Sequence, residues 1–260
     1  MNIVVLIKQV PDTWSERTLA EPDHTLDRAA ADAVLDEINE RAVEEALKLK
    51  ETGGGEVTVV CMGPERATDA IRKALSMGAD KAVHLSDEAL HGSCAVQTAR
   101  ALAKVIGTLG EVDLVLAGNE ATDGTVGAVP AMVAEVLGMP ELTHARKVTV
   151  DGRTVTVERE TDDALTTLQA QLPAVVSVNE KINEPRYPSF KGIMAAKKKP
   201  VTRMALADAG IDASDVGLAH ATSTVTASTP RPPREAGQVV TDEGDGAAKL
   251  VEYLVGRKFI

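Results

Sequence analysis

Three stretches of this sequence put polar groups where an α/β chain binds ligands. Ile3 to Ile7 runs into Lys8, Val57 to Met62 is stopped by Gly63-Pro64, and Val112 to Ala117 enters Gly118-Asn119-Glu120-Ala121-Thr122-Asp123-Gly124-Thr125-Val126-Gly127. In open parallel sheets ligands sit outside the carboxyl ends of the strands, near the switch in strand order. The third stretch precedes a predicted helix, so its backbone N–H groups and the helix N-terminus suit a phosphate. It matches neither Gly-x-Gly-x-x-Gly nor the P-loop pattern, and a Gly-rich strand-to-helix turn also reads as a plain connection. No nucleophile, base and orienting acid can be assembled from spacing. His24, His84, His91, His144 and His220 are scattered without metal-ligand spacing, which makes surface or ordinary packing their reading. Cys61 and Cys94 stand alone, so neither a disulfide nor a zinc or iron–sulfur site is expected.

A second kind of chemistry, recognition, concentrates between Ile182 and Pro200. Arg186, Lys191, Lys197, Lys198 and Lys199 stand there against the single Glu184, giving +4 in a chain whose net charge is −11. Aromatics make up only 2% of the chain, yet Tyr187 and Phe190 sit three residues apart here. Pro185, Pro188 and Gly192 are expected to keep the segment irregular up to about Gly192. A basic, aromatic-bearing loop on an acidic body has the composition of a docking surface. A Pro-rich connection with a solvated Lys run is the plainer alternative.

The elements that must position these residues follow a strand, helix, strand rhythm. Continuous apolar strands are predicted at 3–7, 57–62, 81–85, 112–117 and 174–178, as for strands covered on both faces. Helical periodicity runs over 30–50, 67–77, 95–108 and 131–137. This order implies a parallel sheet with right-handed crossovers. Lys147 to Val150 and Thr154 to Arg159 flank Asp151-Gly152, a hairpin signal and an antiparallel insert. A short helix is expected at 204–209. Ala221 to Gly237, with Pro230, Pro232 and Pro233, reads as an extended arm, and 247–255 as a helix with Leu250, Tyr253 and Leu254 on one face. The expected division is 1–220 for the α/β domain and 221–260 for an arm and helix packing on a partner.

The residues also carry a family likeness. Leu-Pro-Ala-Val-Val (172–176), Asn-Glu-Pro-Arg-Tyr (183–187) and Ile-Met-Ala-Ala-Lys-Lys-Lys (193–199) closely resemble, in order and spacing, the signature of electron transfer flavoprotein β subunits. The likeness extends more weakly from Ile3 to about Pro200. It implies a Rossmann-like parallel sheet of the adenine-nucleotide-hydrolase type, with a structural AMP at the strand ends, or a second FAD there in electron-bifurcating members. By position the nucleotide contacts fall on Leu6, on Asp36, Glu37, Ile38 and Asn39, on Met62, and on Gly118, Asn119, Glu120, Ala121, Thr122, Asp123, Gly124, Thr125 and Val126. The resemblance implies a heterodimer with an α subunit that holds most of the FAD, and docking to dehydrogenases such as acyl-CoA dehydrogenases. Phe190 takes the tip position of the recognition loop, with Arg186, Tyr187, Lys191, Ile193 and Met194 around it. Glu160 would face the mobile flavin domain of the α subunit, or be an exposed strand-end acid. The sequence departs from the family pattern in a shorter loop between Asp123 and Gly127, in Glu120 for a frequent Gln, and in Asp162, Asp163 and Ala164 for usual glycines.

With a flavin carrying the chemistry, such a chain needs no catalytic triad and is expected to be non-enzymatic by itself. An ATP-cleaving enzyme of the adenine-nucleotide-hydrolase type is the competing reading, opposed by Lys8-Gln9-Val10-Pro11 where a Ser-Gly-Gly-x-Asp pyrophosphate loop would stand. A small nucleotide-binding stress or sensor module is a third, and it would not require residues 182–260. The acidic balance argues against nucleic-acid binding. No apolar run reaches the ~18–20 residues of a membrane span, and the first apolar run lacks a basic region before it, so a cytoplasmic location without membrane insertion is expected.

Overall fold

The computed structural model describes every residue except Pro22, Asp162, Glu235, Ala236 and Gln238. In chain order the strands are Asn2–Ile7 (β1), Gln9–Pro11 (β2), Ala33–Leu35 (β3), Glu56–Met62 (β4), Lys81–Leu85 (β5), Leu114–Gly118 (β6), Glu141–Asp151 (β7), Thr154–Glu160 (β8), Leu165–Gln171 (β9), Ala174–Val178 (β10) and Val201–Met204 (β11). The helices are Glu37–Gly53 (α1), Thr68–Met77 (α2), Ala95–Gly107 (α3), Val129–Leu137 (α4), Phe190–Ala196 (α5) and Gly246–Gly256 (α6).

The central strands are apolar throughout because both of their faces are covered. In β1, Ile3, Val5 and Ile7 pack with Val43, Leu47, Ile71 and Leu75 of α1 and α2, while Val4 and Leu6 pack with Leu102, Val105 and Val133 of α3 and α4. One nine-stranded sheet results, in the order β11-β5-β4-β1-β6-β10-β7-β8-β9. It is parallel from β11 to β7 and antiparallel from β7 through β9. The Rossmann-like α/β expectation and the hairpin at Asp151-Gly152 are both present. Gly152 takes a φ of +57°, which the tight turn demands. A third antiparallel strand, β9, extends the hairpin and was not legible, since Leu165-Thr-Thr-Leu-Gln-Ala-Gln is largely exposed and only weakly alternating.

Three expectations are corrected. The helix expected from Ala30 begins at Glu37, and Ala33–Leu35 instead pairs antiparallel with Gln9–Pro11. Val34 and Leu35 fit a helical period, but Asp36 caps the helix behind them. The segment predicted to stay irregular up to Gly192 is helical from Phe190, because Ser189 Oγ accepts from the Gly192 N–H at 3.1 Å and caps α5. Met204 closes β11 rather than opening a helix, and only Ala207–Ala209 forms a 3-10 turn.

The chain divides into two compact units, Met1–Thr226 and Ala227–Ile260. The second contains α6, whose Leu250, Val251, Tyr253 and Val255 are all exposed. Part of the predicted arm, at Glu235 and Ala236, and the Asp162 departure lie outside the described residues.

Candidate functional site

From β1 the chain crosses by α1 to β4 on one side, whereas β6 lies on the other, so the strand order turns back between β1 and β6. Lys8 follows β1 and the Gly118–Gly127 loop follows β6, one on each flank of that switch. Asp36 holds the two together. As N-cap of α1 its Oδ1 accepts from the N–H groups of Ile38 (3.0 Å) and Asn39 (3.2 Å). Its Oδ2 accepts from the Thr122 N–H (2.7 Å) and the Thr122 hydroxyl (2.9 Å). Asn39 Oδ1 in turn accepts from the Lys8 N–H at 2.7 Å. Gly118 is required where Asn39 and Ile38 crowd the end of β6: a Cβ there would lie 2.6 Å from Asn39 Nδ2 and 2.9 Å from Ile38 Cγ2.

Ion pairs complete the frame. Lys8 Nζ lies 2.7 Å from Asp123 Oδ1 and Arg28 Nη2 lies 2.9 Å from Oδ2, around a carboxylate only 1% exposed. Burial pushes the Asp123 carboxyl upward, but Lys8 and Arg28 outweigh this and hold it below the usual carboxylate range. Arg17 Nη1 donates to the Thr122 carbonyl at 2.6 Å. Within the loop the Ala121 carbonyl accepts from Gly124 and Thr125, and Thr125 is bent to a φ of +47°. Gly124, Thr125 and Val126 are exposed beyond this turn. Among the described residues, nothing accepts from the N–H groups of Val126, Gly127 and Ala128, at the approach to α4.

The nucleotide positions read from the sequence therefore separate into two groups. Asp36 and Asp123 are buried, with their oxygens engaged by protein groups, and Leu6 and Asn39 are buried beneath the cleft. Met62 and Ile38 are half-buried, and Glu37 is exposed beside the Thr13 hydroxyl. Asn119 donates its N–H to the Val178 carbonyl, and its buried Oδ1 has no partner among the described residues. Glu120 and Ala121 are half-buried at the neck of the loop. Sequence reasoning placed Lys8 at a candidate strand end without its partner Asp123, and missed Arg28 and Arg17 as parts of this assembly. Lys8 carried a signal, since it directly follows the first strand; the two arginines sit in an irregular stretch with none.

The recognition segment is clamped onto α1 and α2. Arg186 Nε donates to Glu44 Oε2 at 2.7 Å, and its Nη1 reaches Glu51 Oε1 at 2.5 Å. Asn183 Nδ2 donates to the Arg41 carbonyl at 3.1 Å and to Glu45 Oε2 at 3.0 Å. Lys199 Nζ donates to the carbonyls of Leu75 (3.0 Å) and Ala79 (2.5 Å), closing the end of α2. Above this frame Tyr187 is 95% and Phe190 80% exposed, and Ile193 and Met194 are exposed beside them. Arg186 and Lys199, read from the sequence only as part of a basic docking surface, also brace the segment, and with Tyr187 exposed the bracing falls to Arg186, Asn183 and Lys199. Lys191, Lys197 and Lys198 remain exposed.

Glu160, at the end of β8, accepts from Arg146 Nη1 at 2.9 Å and lies 3.3 Å from Lys181 Nζ. The hydrogen bond from Arg146 and then that from Lys181 hold its carboxyl below the usual range.

The electron transfer flavoprotein domain matches residues 23–209. The electron transfer flavoprotein subunit beta of Mycobacterium tuberculosis is 65% identical over 264 residues, covering 100% of this chain and 99% of the relative. The chain belongs to the electron transfer flavoprotein β-subunit family. Its counterpart in Megasphaera elsdenii is 35% identical over 271 residues, and the caffeyl-CoA reductase-Etf complex subunit CarD of Acetobacterium woodii is 35% identical over 263, each over the full length of both chains. The role that goes with this family is electron transfer. Among the described residues no helix is long and apolar enough to cross a membrane, and no cluster of three or more His, Cys, Asp or Glu is arranged for a metal.

Electron transfer flavoprotein subunits are named for a flavin, a nucleotide cofactor, and the cleft offers groups that fit a phosphate. The free N–H groups of Val126 to Ala128, the unpartnered Asn119 Oδ1 and the half-exposed cations Lys8 and Arg28 supply donors, an acceptor and positive charge beyond the carboxyl ends of the central strands β1 and β6. That set suits a phosphate group.

Proposed function

We propose that this chain is the β subunit of a heterodimeric electron transfer flavoprotein. It accepts electrons from dehydrogenases such as acyl-CoA dehydrogenases and passes them on through FAD held mainly by an α subunit, with AMP bound structurally at the β1/β6 cleft. The observation that carries the reading is the braced tip: Phe190, Ile193 and Met194 are exposed on a short helix fixed to α1 and α2. A large apolar side chain held out rigidly has the properties of an interface anchor.

The chain's own residues position and exclude. The Gly118–Val126 backbone would line the nucleotide, the N–H groups of Val126 to Ala128 would meet its phosphate, and Lys8 and Arg28 would balance the charge. FAD, when bound, supplies the electron-carrying chemistry. The exposed face of α6 is assigned to the α subunit, since it is left uncovered within its own unit. This heterodimer is an electron carrier with no bond-breaking step of its own. A cytoplasmic location fits it.

The test is to co-purify the chain with its α subunit, denature the complex and identify the released cofactors by chromatography. One FAD and one AMP per heterodimer is the expected result. Two FAD would mark an electron-bifurcating form with the second flavin in the AMP position. A complex free of adenine nucleotide would overturn the assignment of the cleft.

A further inference from the structure

Beside the exposed tip, α5 and α2 line an open cavity of about 440 Å³ bounded by Arg72, Lys73, Ser76, Ile193, Ala196 and Lys197. Its walls are fixed. Gly192 lies so close to α2 that a Cβ there would stand 2.5 Å from the Ser76 carbonyl oxygen. Arg72 Nη1 donates to the carbonyls of Ala196 (2.6 Å) and Lys199 (3.2 Å), tying the far end of α5 down. The lining is apolar at Ile193 and Ala196 and carries three cations, Arg72, Lys73 and Lys197. Glu40 lies 3.5 Å from Lys73 and offsets one of them. Lys197 is exposed and has no ion pair among the described residues.

We propose that this cavity is a receiving site for the electron-donating dehydrogenase: an acidic side chain next to an apolar residue of the dehydrogenase enters it while Phe190 enters the dehydrogenase. The proposal rests on the docking reading above and adds a reciprocal contact to it. Three observations commit the occupant. The cavity opens beside Ile193, so it is continuous with the exposed Phe190 and Met194 surface. Its volume falls in the range of sites that hold a small ligand or a few residues, about 300–1,000 Å³. Its lining is basic on a chain of net charge −11, so it selects an acidic segment by charge complementarity and repels the same face of a second copy.

The experiment uses the intact heterodimer and a purified acyl-CoA dehydrogenase as donor. Three variants are compared with the parent: Lys73→Glu with Lys197→Glu, Lys73→Met with Lys197→Met, and Phe190→Ala. The charge reversal is expected to raise the KM for the heterodimer roughly tenfold or more at low salt with kcat unchanged, and the neutral pair, which sets no carboxylate against Glu40, to fall between with its thermal midpoint unchanged. The difference should shrink as salt rises. A KM within twofold of the parent for both lysine pairs, while Phe190→Ala raises it, overturns the receiving site and leaves the docking reading intact. No change in any of the three sinks the docking reading as well. A fall in thermal midpoint with both lysine pairs shows a packing role instead and also overturns the proposal.

Discussion

Arg186 grips Glu44 with two prongs: Nε to Oε2 at 2.7 Å and Nη2 to Oε1 at 3.0 Å, with the Arg186 N–H adding a third contact to Oε2 at 3.1 Å. Glu44 is buried, and its hydrogen bond to Arg186, joined by that of Glu51, raises the guanidinium above its ordinary value. A fork-to-fork pair fixes direction as well as distance. Glu44→Ala removes the acceptor, and the expected loss is about 1.5–3 kcal/mol of stability, read by urea unfolding. Arg186→Lys keeps the charge but not the fork, and is expected to weaken dehydrogenase docking without altering cofactor content. Full docking in Arg186→Lys would show that the segment holds its shape without the clamp.

Phe190→Ala separates docking from folding. A side chain 80% exposed contributes little to the core, so the thermal midpoint should correspond to less than about 0.5 kcal/mol of change. Removing an interface anchor commonly costs ~2–4 kcal/mol of binding, roughly 30- to 1,000-fold. Steady-state electron transfer from a cognate dehydrogenase measures it. Unchanged transfer, or a loss accompanied by marked destabilisation, would mean that Phe190 is not the tip.

Gly192→Ala tests the contact between α5 and α2. The added methyl would meet the Ser76 carbonyl oxygen at 2.5 Å, and backbone cannot swing aside as a side chain would. Overpacking of this kind costs about 1–3 kcal/mol, and α5 should tilt off α2. A thermal midpoint equal to the parent's, with docking intact, would contradict the close approach.

The pH dependence of the cleft follows from Asp123. Its folded carboxyl titrates below the unfolded value, so it contributes stability that is present above about pH 4 and lost as pH falls through the folded value. Asp123→Asn abolishes this contribution. The parent should be more stable at neutral pH, and the gap should narrow as pH drops below 4. Thermal unfolding across pH 3 to 7 shows it; a gap independent of pH would place the stabilisation elsewhere.

Truncation after Thr226 addresses the second unit. The remaining unit keeps its own core, so its unfolding should match that of the full chain, while co-expression should no longer recover an α subunit on a sizing column. Recovery of an unchanged heterodimer would assign the exposed α6 face some other purpose.

The parallel strands were legible because burial on both faces leaves unbroken apolar runs such as Ile3 to Ile7 and Ala174 to Val178. The Asp-Gly turn was legible for the same local reason. What was lost depended on contacts distant in sequence. Nothing near Arg186 says that Glu44 is waiting for it across 142 residues, so it read as a free surface cation. Lys199 sits in a Lys run of three, and only the placement of α2 separates it from its neighbours. Val34 and Leu35 obeyed the helical period by coincidence, and the capping Asp36 was the better signal. The Gly118–Gly127 loop was singled out by its composition, but Arg17 and Arg28, which help hold it in place, belong to a segment whose path no periodicity describes.

Asp36 makes the shape of the Gly118–Gly127 loop a by-product of folding. The carboxylate that starts α1 also fixes Thr122, so the loop is ordered at the moment the helix is, before any ligand arrives. A socket set in this way spends little entropy when it is filled, and its ligand can be lost or exchanged without the surrounding chain melting. Hydrogen exchange at the Thr122 amide then reports the opening of α1, and the cleft is as durable as the helix that anchors it.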